Sequence, residues 1–151
     1  MEFTDAFTHC FDKLGQKKIM ALASSLHDHV TVRNVSCIIH EQRIFFKTDK
    51  HFRKTKQLLE NPNVAICHWG VQIEGIAKNH GLVTDEDNRF FQALYDKYWR
   101  TSYTAYAHKE TEILIEVIPK FIEVWDQDEN NNGFQLLIDV DKQSVRVNPY
   151  D

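Results

Sequence analysis

Only five glycines, three prolines and three cysteines occur among the 151 residues, and each scarcity removes a class of protein. There is no Gly-x-Gly-x-x-Gly fingerprint, no Walker loop and no Gly-x-Ser-x-Gly elbow. Cys10, Cys37 and Cys67 are odd in number, far apart and without a Cys-x-x-Cys pair, which argues against a disulfide framework and a structural zinc site. Reduced thiols in a cytoplasm are the expectation. Apolar residues nowhere run long enough to cross a bilayer, and the acidic N-terminus carries no long apolar run. The chain therefore reads as soluble, unexported and without a membrane partner.

Excess positive charge is also lacking. A net charge of −4 and a pI near 6.0 argue against a general nucleic-acid binder, whose affinity needs a basic surface. The basic charge is instead local: Lys47, Lys50, Arg53, Lys54 and Lys56 fall close together, which fits one anionic small molecule better than a polyanion. The eight histidines carry no metal motif, because His27 and His29 sit in an expected turn without a matching carboxylate or cysteine and His-Glu-x-x-His spacing is absent.

What is present is ordinary globular composition, 42% hydrophobic and 26% charged, with no repeat, low-complexity segment or linker. One domain over residues 1–151 is expected. Phe3, Phe7, Cys10, Phe11 and Leu14 recur at helical spacing up to Gly15, so an amphipathic helix should open the chain and plug one end of the core. Short β-rich runs follow at 19–24, 30–39, 43–48, 63–69 and 71–79, then at 112–118, 120–126, 134–139 and 144–147. Leu26-His27-Asp28-His29 and His40-Glu41-Gln42 are short enough to be hairpin connections between antiparallel neighbours.

Two helices are expected between the strands, over 51–60 before Pro62 and over 85–98 with Thr84 as N-cap. In the second, Phe90, Phe91, Leu94, Tyr95 and Tyr98 form an aromatic stripe that reads as core or interface. A loop over 101–108 precedes the later strands. Short alternating strands with few helices define a mainly β, α+β chain, built as a closed or partly closed antiparallel barrel.

The most informative stretch is Ile44-Phe45-Phe46-Lys47-Thr48, followed by Asp49-Lys50-His51-Phe52-Arg53-Lys54. An apolar strand ends in Thr48 and runs into a basic helix start. There an Arg beside a Lys supplies a guanidinium fork, a flexible ammonium and unpaired N–H groups, all favourable to a dianion. A solvated charged helix face is the alternative reading of this segment taken alone.

Taken with Val32-Arg33-Asn34-Val35-Ser36 before it, and with Asn61-Pro62 and Val71-Gln72-Ile73-Glu74-Gly75 after it, the stretch resembles the pyridoxamine 5'-phosphate oxidase-like family of FMN-binding split β-barrels. The resemblance runs from about residue 19 to residue 77, with an echo at Phe121-Ile122-Glu123-Val124-Trp125. It implies an antiparallel split β-barrel with flanking helices, FMN as cofactor, and a homodimer with the flavin between subunits. Carried over position by position, Arg53 and Lys54 match the family's phosphate-holding pair and Thr48 the Thr that closes the strand near the cofactor. Arg33, Asn34, Val35 and Ser36 would contact ring and ribityl, largely through the main chain, although Arg33 also reads as a cross-strand ion-pair partner. Trp125 resembles the aromatic that reaches the flavin from the partner subunit, with a core Trp as the alternative. Gly70 stands where the oxidases carry a ring-contacting Gln, and Gln72, on the same strand face, could substitute.

Other departures bear on the reaction. Ile38 stands where the oxidases carry Lys, Phe52 replaces a small hydroxyl residue, and the arginine-rich segments that grip their substrate are missing. Only isolated arginines such as Arg100 and Arg146 remain. The expectation is a flavin-dependent oxidoreductase other than pyridoxamine 5'-phosphate oxidase, taking a small substrate or an electron donor such as NADH or NADPH, with no acid or base assigned. The alternatives are a non-catalytic flavin-binding sensor or store, and a deazaflavin- or haem-binding relative.

Overall fold

The computed structural model describes residues 1–99 and 108–150. Two-residue turns set the strand order. Strand β1 (Lys17–Leu26) turns through His27 and Asp28 into β2 (His29–His40), which turns through Glu41 and Gln42 into β3 (Arg43–Asp49). These four turn residues have φ of 50°, 65°, 51° and 58°, the paired left-handed combination whose twist matches that of antiparallel strands. After helix α2 (Arg53–Glu60), β4 (Asn63–His68) turns through Trp69 and Gly70 into β5 (Val71–Leu82).

Closure depends on the long strand β6 (Glu112–Gln127). It pairs with β5 along most of its length, while its first half pairs back onto β3, from Ile44 opposite Val117 to Asp49 opposite Glu112. The strands β3-β2-β1-β4-β5-β6 thereby form a closed, antiparallel six-stranded barrel, the split-barrel architecture expected from the sequence. Strands β7 (Gly133–Asp139) and β8 (Ser144–Pro149) extend the sheet from the second half of β6.

The sequence pattern divides β6 into two strands at Pro119, and the structure corrects this. Pro119 falls where β6 has left β3, has not yet joined β7, and shifts register against β5, so its missing N–H breaks little of the ladder. Gly75 lies opposite. A Cβ there would stand 2.5 Å from the Ile118 carbonyl oxygen, so the close approach needs glycine.

Inside the barrel, alternate residues of each strand build the core: Met20 and Leu22, Val35, Cys37 and Ile39, Ile44 and Phe46, Ile66, Ile73 and Ile115. Helix α1 (Phe3–Leu14) plugs it with Ala6, Cys10, Phe11 and Leu14, and ends at Gly15 with φ 71°. A second cluster lies outside the barrel wall, where Ile38, Phe45 and Leu114 are covered by helix α3 (Arg89–Trp99) through Phe91 and the half-buried Phe90, Leu94 and Tyr95. The aromatic stripe is therefore core.

Helix boundaries differ from expectation at two places. α2 starts at Arg53 instead of 51, because Asp49 Oδ1 accepts the His51 N–H at 2.9 Å and holds residues 49–52 in a turn. The helix expected over 85–98 opens as a 3₁₀ turn at Glu86–Asn88, with Asp85 rather than Thr84 at the cap position. The Asn88 amide secures this start by donating to the carbonyls of His80 and Leu82, at 3.1 and 2.8 Å. Arg100 and loop residues 101–107 lie outside the described residues. No described helix is long and apolar enough to cross a membrane.

Candidate functional site

Strands β2 and β3 pair only near their shared turn, through Ile38, Ile39 and His40 opposite Phe45, Ile44 and Arg43. Beyond these pairs β3 follows β6 while β2 stays with β1, and the wall opens. A cavity of about 190 Å³ fills the opening, lined by Asn34, Val35 and Ser36 on one side and by Lys47, Thr48 and Asp49 on the other. Here β2 has an edge without a ladder partner among the described residues. Main-chain N–H and C=O groups on that edge are available to a flat polar ligand.

The N-terminus of α2 borders the same opening. Phe52 occupies the N-cap and offers no side-chain acceptor, and no acidic residue lies in the first turn. Among the described residues the main-chain N–H groups of Arg53 and Lys54 have no protein partner, which leaves a positive helix end facing outward. Helix α2 is fixed from below. Thr55 Oγ1 donates to the Asp49 carbonyl at 2.7 Å and lies 2.9 Å from Thr48 Oγ1.

A second cavity of about 350 Å³ adjoins the first, sharing Phe52 and Lys54, and is lined further by Thr31, Arg33, Arg53 and Gln57. Three cations thus meet in one place. None of Arg33, Arg53 and Lys54 has an ion-pair partner among the described residues. Burial and then the Arg33 charge pull the Lys54 ammonium below its ordinary pKa, and burial does the same to Arg33. A cluster of this kind repels itself, and an anion with two negative charges relieves it.

Among the described residues Arg33 has no cross-strand ion-pair partner. Its side chain faces the barrel interior, where Nη1 donates to Ser24 Oγ at 2.8 Å and to the Leu22 carbonyl at 3.2 Å, and Nη2 donates to Thr31 Oγ1. Both hydroxyls then donate to Gln57 Oε1, Ser24 at 3.1 Å and Thr31 at 2.9 Å. Ser24, Thr31, Thr55 and Gln57 escaped sequence reasoning, though two periodicities point to them. Thr31 shares a strand face with Arg33, and Gln57 shares a helix face with Arg53.

The remaining expected site residues divide in two. Asn34 and Ser36 face outward into the smaller cavity, while the Val35 side chain belongs to the barrel core, so only its main chain faces the opening. Thr48 is buried with its hydroxyl on Thr55. Ile38, where the oxidases carry Lys, is fully buried under α3. Lys47 lines the smaller cavity but is bound to Glu112 at 2.9 Å and lies 3.2 Å from His108, and of the other four residues in the basic sequence cluster Arg53 and Lys54 line a cavity.

Gln72 and Trp125 are elsewhere. Gln72 lies on the outer face in a cross-strand row with Asn34, Ala21 and Cys67, three strands from β2 and roughly 14 Å away at ordinary strand spacing. Trp125 is 48% exposed beside Tyr150 at the far end of β6, so it is not a core Trp. Neither lines either of the two cavities. Among the described residues no group of His, Cys, Asp or Glu is arranged to hold a metal ion.

The closed six-stranded barrel, split between β2 and β3 beside a basic helix start, defines the class as a split β-barrel. A family model described as pyridoxamine 5'-phosphate oxidase matches residues 8–126, and the chain belongs to that family. Among solved structures it is similar to PhzG from Burkholderia lata in complex with tetrahydrophenazine-1-carboxylic acid, at 15% identity and a TM-score of 0.63, covering 99% of this chain and 92% of that one. It is similar also to a pyridoxamine 5'-phosphate oxidase-related, FMN-binding protein from Nostoc punctiforme, at 14% identity, TM-score 0.58, and 98% and 94% coverage. An FAD-binding protein from Mesorhizobium loti matches at 13% identity, TM-score 0.60, and 76% and 90% coverage. At such identities these likenesses speak to fold. No protein of curated function matches.

Proposed function

We propose that the chain is an FMN-binding flavoprotein that acts as a homodimeric oxidoreductase. The observation that carries this reading is the convergence of Arg33, Arg53 and Lys54, without a protein counter-charge among the described residues, beside the unladdered edge of β2. A phosphate dianion satisfies the three cations and the open N–H groups of α2. A flat ring with polar edges suits the main chain of residues 34–36. When bound, FMN supplies two-electron redox chemistry, and the protein contributes binding, orientation and shielding from water.

The dimer part of the reading rests on the outer face of β1, β2 and β4. Ile19, Val30, Val32 and Trp69 are 52, 72, 67 and 92% exposed there, around Ala21, Ala23, Ala65 and Cys67. Such an apolar face, bordering the opened wall, suits a second copy of the barrel. The partner's copies of this face would then bring Gln72 and Trp125 toward the flavin. Pyridoxamine 5'-phosphate oxidation is not the favoured reaction, since Arg146 stands exposed on β8 and lines neither cavity.

The visible spectrum of the purified protein tests the cofactor. A flavin band that FMN restores after stripping supports the reading, while a deazaflavin or Soret band overturns it. Reduction of the bound flavin by NADH, NADPH or a small substrate supports turnover, and a flavin that none of these reduces favours a binding module.

A further inference from the structure

We propose that Glu112 reads the hydroxyl chain of the cofactor through its Oε2, and that Lys47 positions this carboxylate and cancels its charge; this rests on the flavin reading above. Two carboxylates line the smaller cavity. Both oxygens of Asp49 are occupied, since Oδ1 accepts the His51 N–H at 2.9 Å and Oδ2 accepts the Thr111 hydroxyl at 2.7 Å. Glu112 differs. Its Oε1 accepts from Lys47 Nζ at 2.9 Å and from the Lys109 N–H at 2.7 Å, while Oε2 has no hydrogen bond among the described residues. No side-chain oxygen or nitrogen among them is both sealed from solvent and unbonded, so Oε2 opens to accessible space although the side chain as a whole is only 13% exposed.

An ionised carboxylate oxygen is an acceptor only. In a cavity that binds an anion it would repel the ligand unless a cation stood against it, and Lys47, on the adjacent strand β3, supplies that cation. His108 holds Lys47 as well: its Nδ1 lies 3.2 Å from Nζ, and because an ammonium only donates, Nδ1 is the acceptor. The imidazole proton is therefore on Nε2, which donates to Asp96 Oδ1 at 3.1 Å. A neutral ring thus fixes Lys47 without setting a second negative charge beside the cavity. The Tyr95 ring of α3 stands 4.7 Å from the same ammonium and lines the same cavity.

Position selects the group that is read. The smaller cavity meets the larger one at Phe52 and Lys54, and Glu112 pairs opposite Asp49, the last residue of β3 before the turn into α2. With the phosphate on Arg53 and Lys54 and the ring along residues 34–36, the part of the cofactor that passes Glu112 is the chain between them, whose hydroxyls donate to a carboxylate. Glu112 is a binding residue in this assignment, and Lys47 a positioning residue.

The test titrates flavin-free wild type, Glu112→Gln and Lys47→Met with FMN, with riboflavin, which lacks the phosphate, and with lumiflavin, which carries a methyl group in place of the hydroxyl chain. In Glu112→Gln the amide oxygen stays on the Lys47 and Lys109 donors, so an NH₂ takes the place of Oε2. Affinity for FMN and riboflavin is expected to fall about five- to tenfold, the difference between a charged and a neutral hydrogen bond, with lumiflavin unchanged. Lys47→Met leaves the carboxylate uncompensated, which opposes a dianion and not a neutral ligand, so FMN affinity should fall at least about tenfold while riboflavin affinity holds. This variant keeps the test open should Glu112→Gln not fold, as does wild type itself, which should bind riboflavin more tightly than lumiflavin. Equal losses for all three flavins in Glu112→Gln make a ring N–H the donor, and unchanged affinities leave Oε2 without a ligand; either result overturns the assignment and leaves the flavin reading standing. Equal losses of FMN and riboflavin in Lys47→Met overturn its charge-cancelling role. A wild type that binds none of the three overturns both readings.

Discussion

Thr48 Oγ1 donates to Thr55 Oγ1 across 2.9 Å, and the direction is fixed because Thr55 spends its own proton on the Asp49 carbonyl at 2.7 Å. Both hydroxyls are buried, so this pair ties the end of β3 to the first turn of α2. Thr55→Val keeps the shape, leaves the Thr48 hydroxyl without this acceptor and leaves the Asp49 carbonyl with the Phe52 N–H alone. Chemical denaturation should register a loss of about 1–3 kcal/mol. FMN affinity should fall as well, because Arg53 and Lys54 ride on the same turn. A stable variant with unchanged affinity would mean that the tie does not position the cations.

Acid should act through Glu116. Burial raises its pKa, but bonds from Arg43 at 2.9 and 2.8 Å and from His80 at 2.8 Å outweigh this and leave the carboxyl below its ordinary value of 4.5. A carboxyl depressed in the folded state contributes stability that is fully present above 4.5 and disappears as pH falls through the lower folded value. Melting temperature measured from neutral pH down through this window should therefore fall more steeply in wild type than in Glu116→Gln. At neutral pH the variant should be the less stable, by about 1–3 kcal/mol, since Arg43 and His80 lose a charged acceptor. Parallel curves would show that Glu116 does not govern the acid limb.

The three thiols should react very differently. Burial pushes Cys10 and Cys37 up to about 12, which leaves almost no thiolate at neutral pH; Cys37 faces the barrel interior and Cys10 lies on the helix that plugs it. Cys67 lies half-buried on the outer face, in the row that joins Asn34 to Gln72. Under native conditions a thiol reagent should modify Cys67 alone, and, if the proposed dimer forms over this face, more slowly as protein concentration rises. Labelling that does not change with concentration, over a range in which sedimentation shows a dimer, would place the interface elsewhere.

Much of the architecture was legible because one face of each strand is buried. Met20 and Leu22 alternate with Ala21 and Ala23, and the turns at His27-Asp28 and Glu41-Gln42 leave no room for anything but hairpins. The run through Pro119 was not legible, because a proline is a strong local breaker and its tolerance depends on Gly75, on a different strand. Closure of β3 on β6 is likewise a tertiary outcome that no local pattern carries. At the site, Arg53 and Lys54 could be placed from their own segment, since a basic helix start announces itself. Gln57 could not. Its bonds exist only once Ser24 and Thr31 face each other across β1 and β2 and α2 packs over them.

The most direct test of the phosphate cradle is cofactor retention by the double variant Arg53→Ala/Lys54→Ala, with the exposed Lys56→Ala as control. Each charge-assisted bond lost is expected to cost about 1.5–3 kcal/mol. Titrating flavin-free protein with FMN should show wild-type affinity in the Lys56 control and a loss of at least about a hundredfold in the double variant, with riboflavin binding little changed. A folded double variant that holds FMN as tightly as wild type would contradict the cradle, and the opening between β2 and β3 would then have no assigned ligand.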